Sequence, residues 1–202
     1  MESPNLFLAI PLFLSGKEGH KDCLVNIVLF SLFVIHYIHR DLLYPLKMKS
    51  TATPMPISIA AMAFLYTSCN SIIQVGYLAN VSTYEISWLY DPRFILGTLI
   101  WATGMYINVT SDNKLINLRK EGEKGYKIPR GGLFDYVTSP NLFGEIVEWM
   151  GFAVACWNRG ALLFALYVFA NLFPRGISHH KWYLEKFKEY PKNRKAVIPF
   201  VY

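Results

Sequence analysis

Long apolar runs almost without formal charge restrict the fold of this 202-residue chain more than any other feature. Between them, five runs contain one charged side chain, that of Glu148. A membrane-spanning helix needs about 20 apolar residues, and fewer suffice deep inside a bundle. With only 17% charged residues, the chain has too little polar surface to enclose five such helices in a soluble domain. The runs are residues 24–38, 56–79, 94–109, 146–157 and 161–173.

These runs predict an all-α fold, a polytopic integral membrane helical bundle. A shorter apolar run at residues 7–14 is expected to cross in part or to lean on the others. Counting it gives about six membrane segments, which we expect to form one membrane-embedded domain over residues 1–202.

Lysine and arginine concentrate in alternate connections, and the net charge is +6. Because cytoplasmic loops are enriched in Lys and Arg, this asymmetry predicts orientation. Loops 39–55 and 111–140 and the C-terminus are expected in the cytosol, and loops 80–92 and 158–160 in the lumen. An alternative is that the basic loops only set topology or attract anionic lipid.

Several chemistries have no support in the sequence. No Gly-rich phosphate loop is present, so neither a Rossmann domain nor a P-loop is indicated. The histidines and carboxylates lack metal-ligand spacing, so no metal site is expected. Three cysteines without paired spacing are interpreted as small packing residues. Nothing indicates a nucleic-acid partner.

Polar residues recur at helical spacing toward the predicted cytosolic ends of four helices. Ionisable groups at such positions usually face a protein interior or a water-filled cavity, so a common cavity open to the cytosol is expected. The alternative is that they form interhelical hydrogen bonds and snorkelling helix ends. Side chains of Arg, Asn and Tyr suit a phosphorylated ligand such as a nicotinamide dinucleotide. The four sets are Tyr37, Arg40, Asp41 and Tyr44; Asn108, Asp112 and Arg119; Asn141, Glu145 and Glu148; and Arg175, His179 and Tyr183.

Longer motifs carry a resemblance to a known family. Residues 131–141, Gly-Gly-Leu-Phe-Asp-Tyr-Val-Thr-Ser-Pro-Asn, followed by Gly-Glu-Ile-Val-Glu-Trp at 144–149, resemble a signature of the steroid 5α-reductases. The segments 36–40, 108–112, 179–184, 190–195 and 198–200 fit the same family. The resemblance extends over nearly the whole chain.

The family implies a multi-pass enzyme of the endoplasmic reticulum membrane that reduces the Δ4 double bond of a 3-oxo-steroid with NADPH. By position, Glu2 and Tyr37 would donate hydrogen bonds to the 3-ketone of the steroid substrate. The cofactor would be held mainly by residues 104–202. The cofactor-binding residues that the resemblance implies are Asn108, Asp112, Arg119, Tyr126, Asn141, Glu145, Arg175, His179 and Tyr183. We add Arg40 and Tyr44 from the first polar set.

One departure and two alternatives accompany the resemblance. Family members usually have a further membrane helix before the position of Glu2, and the sequence begins at Met1 without it. A related reductase of another enone lipid, of the enoyl-CoA or polyprenol type, remains an alternative. A non-catalytic membrane protein that binds a sterol is the other.

Overall fold

The computed structural model describes residues 3–48, 56–118 and 125–201, and most of these residues are helical. No β-strand forms within those ranges, and one isolated parallel bridge joins Val137 to Lys195. The predicted all-α class is therefore confirmed. The α-helices are α1 (Pro4–Phe7), α2 (Ala9–Leu14), α3 (Leu24–Tyr37), α4 (Tyr44–Lys47), α5 (Ile57–Asn80), α6 (Pro92–Asn117), α7 (Pro140–Cys156) and α8 (Arg159–Lys186).

Four helical segments in the described part of the chain are long and apolar enough to cross a membrane: Leu24–Lys47, Ile57–Asn80, Pro92–Asn117 and Arg159–Lys186. They contain four of the five long runs, and the multi-pass bundle is confirmed. The fifth run falls in α7, which has 17 residues. Residues 7–14 fall in the short helices α1 and α2. By length and composition, four of the six expected segments are therefore long and apolar enough to span a membrane.

Three of the helices extend beyond the apolar runs that predicted them. A π-helix, Ile38–Leu43, continues α3 into α4, so helix replaces the loop expected from residue 39. Helix α6 runs to Asn117, and α8 passes through Pro174 to Lys186. Polar side chains on these extensions end the apolar runs without ending the helices.

The chain forms two compact units, the first made of Met1–Leu96 with Ala155–Ala161. In this unit α1 and α2 pack against α5. The Phe13 and Phe30 rings stack at 4.0 Å. The Ser71 hydroxyl donates a hydrogen bond to Asn5 Oδ1 (2.8 Å), and the Ser82 hydroxyl donates one to Asn26 Oδ1 (2.9 Å). Ser71 thus joins α5 to α1, and Ser82, in the connection after α5, joins that connection to α3, so that both hydroxyls find partners away from water.

The second unit, Gly97–Val154 with Leu162–Tyr202, is built around direct backbone contact between α6 and α7. A Cβ added at Gly104 would lie 2.2 Å from the Glu148 backbone nitrogen. One added at Gly144 would lie 2.5 Å from Asn108 N, and one at Gly151 2.3 Å from Trp101 N. Small residues permit this close approach in membrane helix pairs, where dispersion contacts replace the hydrophobic effect.

We predict that Gly144→Ala destabilises the protein by about 1–3 kcal/mol, the usual cost of inserting a methyl group into a packed contact. Gly76→Ala is the matched control, because its Cβ would meet only Leu12 Cδ2 at 3.8 Å. The midpoint of thermal unfolding in detergent measures both variants. Equal midpoints would show that α6 and α7 tolerate wider spacing.

Candidate functional site

A hydrogen-bonded polar cluster lies in the second unit where α6 meets α7. The Asn141 amide donates to Asp112 Oδ1 at 3.0 Å. The Asn108 amide donates to the Asn141 backbone carbonyl at 3.3 Å and approaches Glu145 Oε2 at 3.4 Å. Asn108 is 3% exposed and Asp112 2%. The structure thus brings together four residues that the sequence placed on two separate polar faces.

The glycine contacts explain why these residues meet. The Gly144 contact with Asn108 N holds the two backbones close at the level of the cluster. Asn141 and Glu145 lie one turn apart on α7, so both face the same stretch of α6. Glu148, one turn further, is fully buried in the same unit. A bilayer-embedded carboxylate is costly, so its burial marks this helix pair as a functional candidate.

A second group of candidate residues lies along α8. Arg175 and His179 are exposed, and Tyr183 is half-buried with its hydroxyl 3.5 Å from the Lys127 carbonyl oxygen. The Tyr126 ring meets Trp182 edge-on, with centroids 4.7 Å apart. Residues 126 and 127 are therefore held beside the last turns of α8.

Tyr37, in the first unit, is enclosed by aromatic rings of its own helix. It is 5% exposed, its ring centroid is 4.7 Å from Phe33, and it meets the His36 ring edge-on at 4.9 Å. These two contacts restrict the rotation of the Tyr37 ring. The π-helix begins at the next residue, and π-helical turns are frequent at functional sites.

The π-helix changes the register assumed for the first polar set. A π-helical turn contains more residues than an α-helical one, so spacing of three, four and seven no longer returns to one face. Arg40 and Tyr44 remain neighbours, with the guanidinium carbon 5.4 Å from the ring centroid. Two predicted site residues, Glu2 and Arg119, lie outside the described ranges.

Sequence reasoning passed over two polar features. Asn70, Ser71 and Gln74 are buried on α5, inside a run interpreted as apolar because it carries no charge. Asn70, Ser71 and Gln74 stand at positions i, i+1 and i+4, which lie on one side of a helix, and this spacing could have indicated a polar face on α5. Lys114 donates to the Gly131 carbonyl oxygen at 2.8 Å, beside a cavity of about 300 Å³.

The chain end is held against the loop before α7 by Thr138. Its backbone N–H donates to the Lys195 carbonyl oxygen at 2.9 Å. Its hydroxyl oxygen is 2.5 Å from His180 Nδ1 and 2.8 Å from the Tyr190 hydroxyl. Gly176 completes the arrangement, because a Cβ there would meet Val197 Cγ2 at 2.2 Å. Residues 190–197 are thereby fixed on one side of α8.

The clearest electrostatic perturbations outside the membrane segments are structural. Hydrogen bonds from Arg93 lower the pKa of Asp91 to about 2, and the two side chains form a 2.8 Å ion pair. Burial raises the pKa of Tyr84, whose hydroxyl donates to the Cys156 carbonyl. Within the described ranges, no three His, Cys, Asp or Glu side chains are grouped to hold a metal.

Comparison with known proteins places the chain in a family. A sequence model described as 3-oxo-5-alpha-steroid 4-dehydrogenase matches residues 53–202. All of the chain aligns at 46% identity with human 3-oxo-5-alpha-steroid 4-dehydrogenase 1, covering 77% of that relative. All of it also aligns at 47% identity with the steroid 5-alpha-reductase DET2 of Arabidopsis thaliana, covering 79%. The chain belongs to the 3-oxo-5-alpha-steroid 4-dehydrogenase family.

Membership confirms the resemblance and makes the chain an oxidoreductase acting on a CH–CH group. The α6–α7 cluster and the α8 group both lie within residues 53–202, which the family model matches. Tyr37, Arg40 and Tyr44 precede that range but lie within the full-length alignments. The roles of the individual residues stay predictions.

Proposed function

We propose that this chain reduces the Δ4 double bond of a 3-oxo-steroid to the 5α-steroid, with NADPH as the hydride donor. The observation that carries the proposal is the alignment of the whole chain with relatives named for this activity in a mammal and a plant. The proposal includes a multi-pass position in the endoplasmic reticulum membrane and a cytosolic C-terminus, which the Lys and Arg asymmetry favours.

The donor set of the second unit fits a phosphorylated dinucleotide. Asn108 and Asn141 present amides in a buried cluster, where an amide can both donate to and accept from a carboxamide or a base edge. Arg175 is exposed on α8 and carries the planar guanidinium that pairs with phosphate through two hydrogen bonds.

Further members of the proposed cofactor site add aromatic and carboxylate groups. Tyr126 and Tyr183 offer rings and hydroxyls, and Glu145 and Asp112 accept from the amides and so orient them. His179 lies one turn from Arg175 and shares its helix face. Arg119, Arg40 and Tyr44 complete the proposed set. When bound, NADPH supplies the hydride that is transferred to C5 of the steroid.

The chain's own catalytic contribution is proposed to be polarisation of the 3-ketone. The Tyr37 hydroxyl would donate a hydrogen bond to the ketone oxygen as negative charge develops there. A fixed donor is already oriented when that charge forms, so it needs no reorganisation during the reaction. The ring contacts with Phe33 and His36 supply that fixation. Glu2, as a protonated carboxylic acid, would be the second donor. A proton is then added at C4.

Arg175→Ala should weaken NADPH binding about ten- to a hundredfold, since a hydrogen bond to a charged group contributes about 1.5–3 kcal/mol. Arg119→Ala should act in the same direction. Lys188→Ala is the control, because it removes an exposed cation of the same unit that lies outside the proposed site. Titration of the purified protein with NADPH and NADH measures the effect. Unchanged NADPH affinity in both arginine variants would remove this cofactor assignment.

Tyr37→Phe should lower kcat about a hundred- to a thousandfold, the cost of removing one oxyanion donor. The ring remains, so protein level and NADPH affinity should stay at wild-type values. Tyr106→Phe, which removes an exposed hydroxyl from α6, should leave kcat unchanged. Turnover of a Δ4-3-oxo-steroid with NADPH is the measurement. Near wild-type turnover of Tyr37→Phe would show that this hydroxyl does not polarise the ketone.

A further inference from the structure

A buried arginine in the second unit lies beside a cavity, and two of its guanidinium nitrogens lack hydrogen-bond partners among the described residues. The Arg194 side chain is 2% exposed, and its Nε and Nη1 have no hydrogen-bond partner in the described part of the chain. Its third nitrogen, Nη2, is 3.9 Å from Asp135 Oδ1, too long for a hydrogen bond. The Asp135 side chain is 52% exposed and accepts from Gly131 N. The guanidinium carbon also lies 5.2 Å from the centroid of the Tyr190 ring, a contact that supplies no hydrogen-bond acceptor. A buried guanidinium in this state favours an anionic acceptor.

The cavity beside Arg194 is large enough and positively charged enough to hold an anionic group. Its volume is about 310 Å³. Besides the arginine, three exposed lysines line it: Lys181, Lys192 and Lys195. His180 also lines the cavity, and its Nδ1 is already bonded to Thr138. A phosphate or phosphodiester group matches both the charge and the fork of a guanidinium.

The cavity lies mainly on a different face of α8 from the proposed cofactor residues, and Tyr190 contacts both Tyr183 and Arg194. Residues 175, 179 and 183 follow one face of α8. Residues 177, 180 and 181 line the cavity, and their mean direction is about 150° from that of the first set on a helix that turns about 100° per residue. The anion in this cavity is therefore expected to be a different ligand from the dinucleotide, and competition by NADPH tests that expectation.

The position of the cavity along α8 points to the membrane surface. The helix has 28 residues and is about 42 Å long, while the hydrocarbon core of a bilayer is about 30 Å thick. If the charged residue Arg159 marks one boundary, residues from about 179 onward emerge into the headgroup layer. His180 and Lys181 would then lie at the depth of lipid phosphates.

Apolar side chains beside the cations favour a lipid over a soluble anion. Ile177 and Val201 line the cavity, and Val201 is 70% exposed. The neighbouring Phe200 is 77% exposed, with its ring 5.2 Å from that of Tyr136. A free phosphate gains nothing from such surfaces, whereas a phospholipid places acyl carbons next to its phosphate.

We propose that this cavity binds the headgroup phosphate of an anionic phospholipid, with Arg194 as the buried anchor. The lysines surround the phosphate, and Val201 and Phe200 contact the glycerol and the first acyl carbons. The bound lipid joins the chain end to α8 at the membrane surface.

The test titrates the purified full-length chain in non-ionic detergent with short-chain phosphatidylglycerol and, separately, with short-chain phosphatidylcholine. Phosphatidylglycerol should bind more tightly. The double variant Lys181→Gln/Lys192→Gln should weaken its binding about fivefold per lysine, while phosphatidylcholine binding stays unchanged. Lys186→Gln/Lys188→Gln removes two exposed lysines that do not line the cavity and should bind like the wild type.

Arg194→Gln should abolish the preference for phosphatidylglycerol, with the unfolding midpoint recorded to detect misfolding. The two double-lysine variants carry the test if Arg194→Gln does not fold. Equal affinity for the two lipids, or equal loss in both lysine pairs, would overturn the proposal. Inorganic phosphate binding as tightly as phosphatidylglycerol would overturn it in favour of a soluble anion. Displacement of phosphatidylglycerol by NADPH would overturn it in favour of a nucleotide phosphate.

Discussion

The backbone contact between α6 and α7 is the constraint on which the second unit depends. Gly104, Gly144 and Gly151 leave no room for a side chain between the two helices. In a bilayer, apolar side chains gain little from leaving lipid, so close packing and hydrogen bonds must hold the helices together. The same contact sets Asn108 against Asn141 and Glu145, so packing and the candidate cofactor site are one arrangement.

The buried polar residues of this protein fall into three groups that differ in charge and in hydrogen-bond partners. In the first unit, Ser71 pairs α5 with α1, and Ser82 pairs the connection after α5 with Asn26 of α3. The α6–α7 cluster adds carboxylates, whose cost in a membrane makes them candidates for a functional role. Arg194 is a third case, because its Nε and Nη1 are buried without hydrogen-bond partners within the described ranges. The proposed nucleotide and lipid sites follow from the last two cases.

The apolar runs predicted the helical class and most of the spanning helices, because a bilayer requires long uncharged segments. Helix ends were less predictable: residues such as Arg40 and Asp112 end an apolar run, yet the helix continues beyond them. Spacing paired Asn108 with Asp112 and Asn141 with Glu145, and the two pairs meet in the structure. Long-range packing is not encoded in local periodicity, so the pairing of α6 with α7 had no sequence signal of its own.

The π-helix after Tyr37 and the burial of Arg194 were beyond sequence reasoning for the same reason. A widened turn depends on how its helix packs, and a basic residue in a basic tail is typically solvated. Resemblance to the steroid 5α-reductases supplied what periodicity could not, namely the identity of the substrate class. The proposed reaction transfers a hydride to C5 of the steroid, so it can be tested by following the hydrogen at that carbon atom.

The most direct measurement follows the hydride. Membranes containing the chain would be supplied with a Δ4-3-oxo-steroid and NADPH carrying deuterium at the transferable position of the nicotinamide. The account predicts a 5α-reduced 3-oxo-steroid with deuterium at C5 and a solvent-derived proton at C4. Deuterium at another carbon, or no reduced steroid while NADPH binds normally, would contradict it.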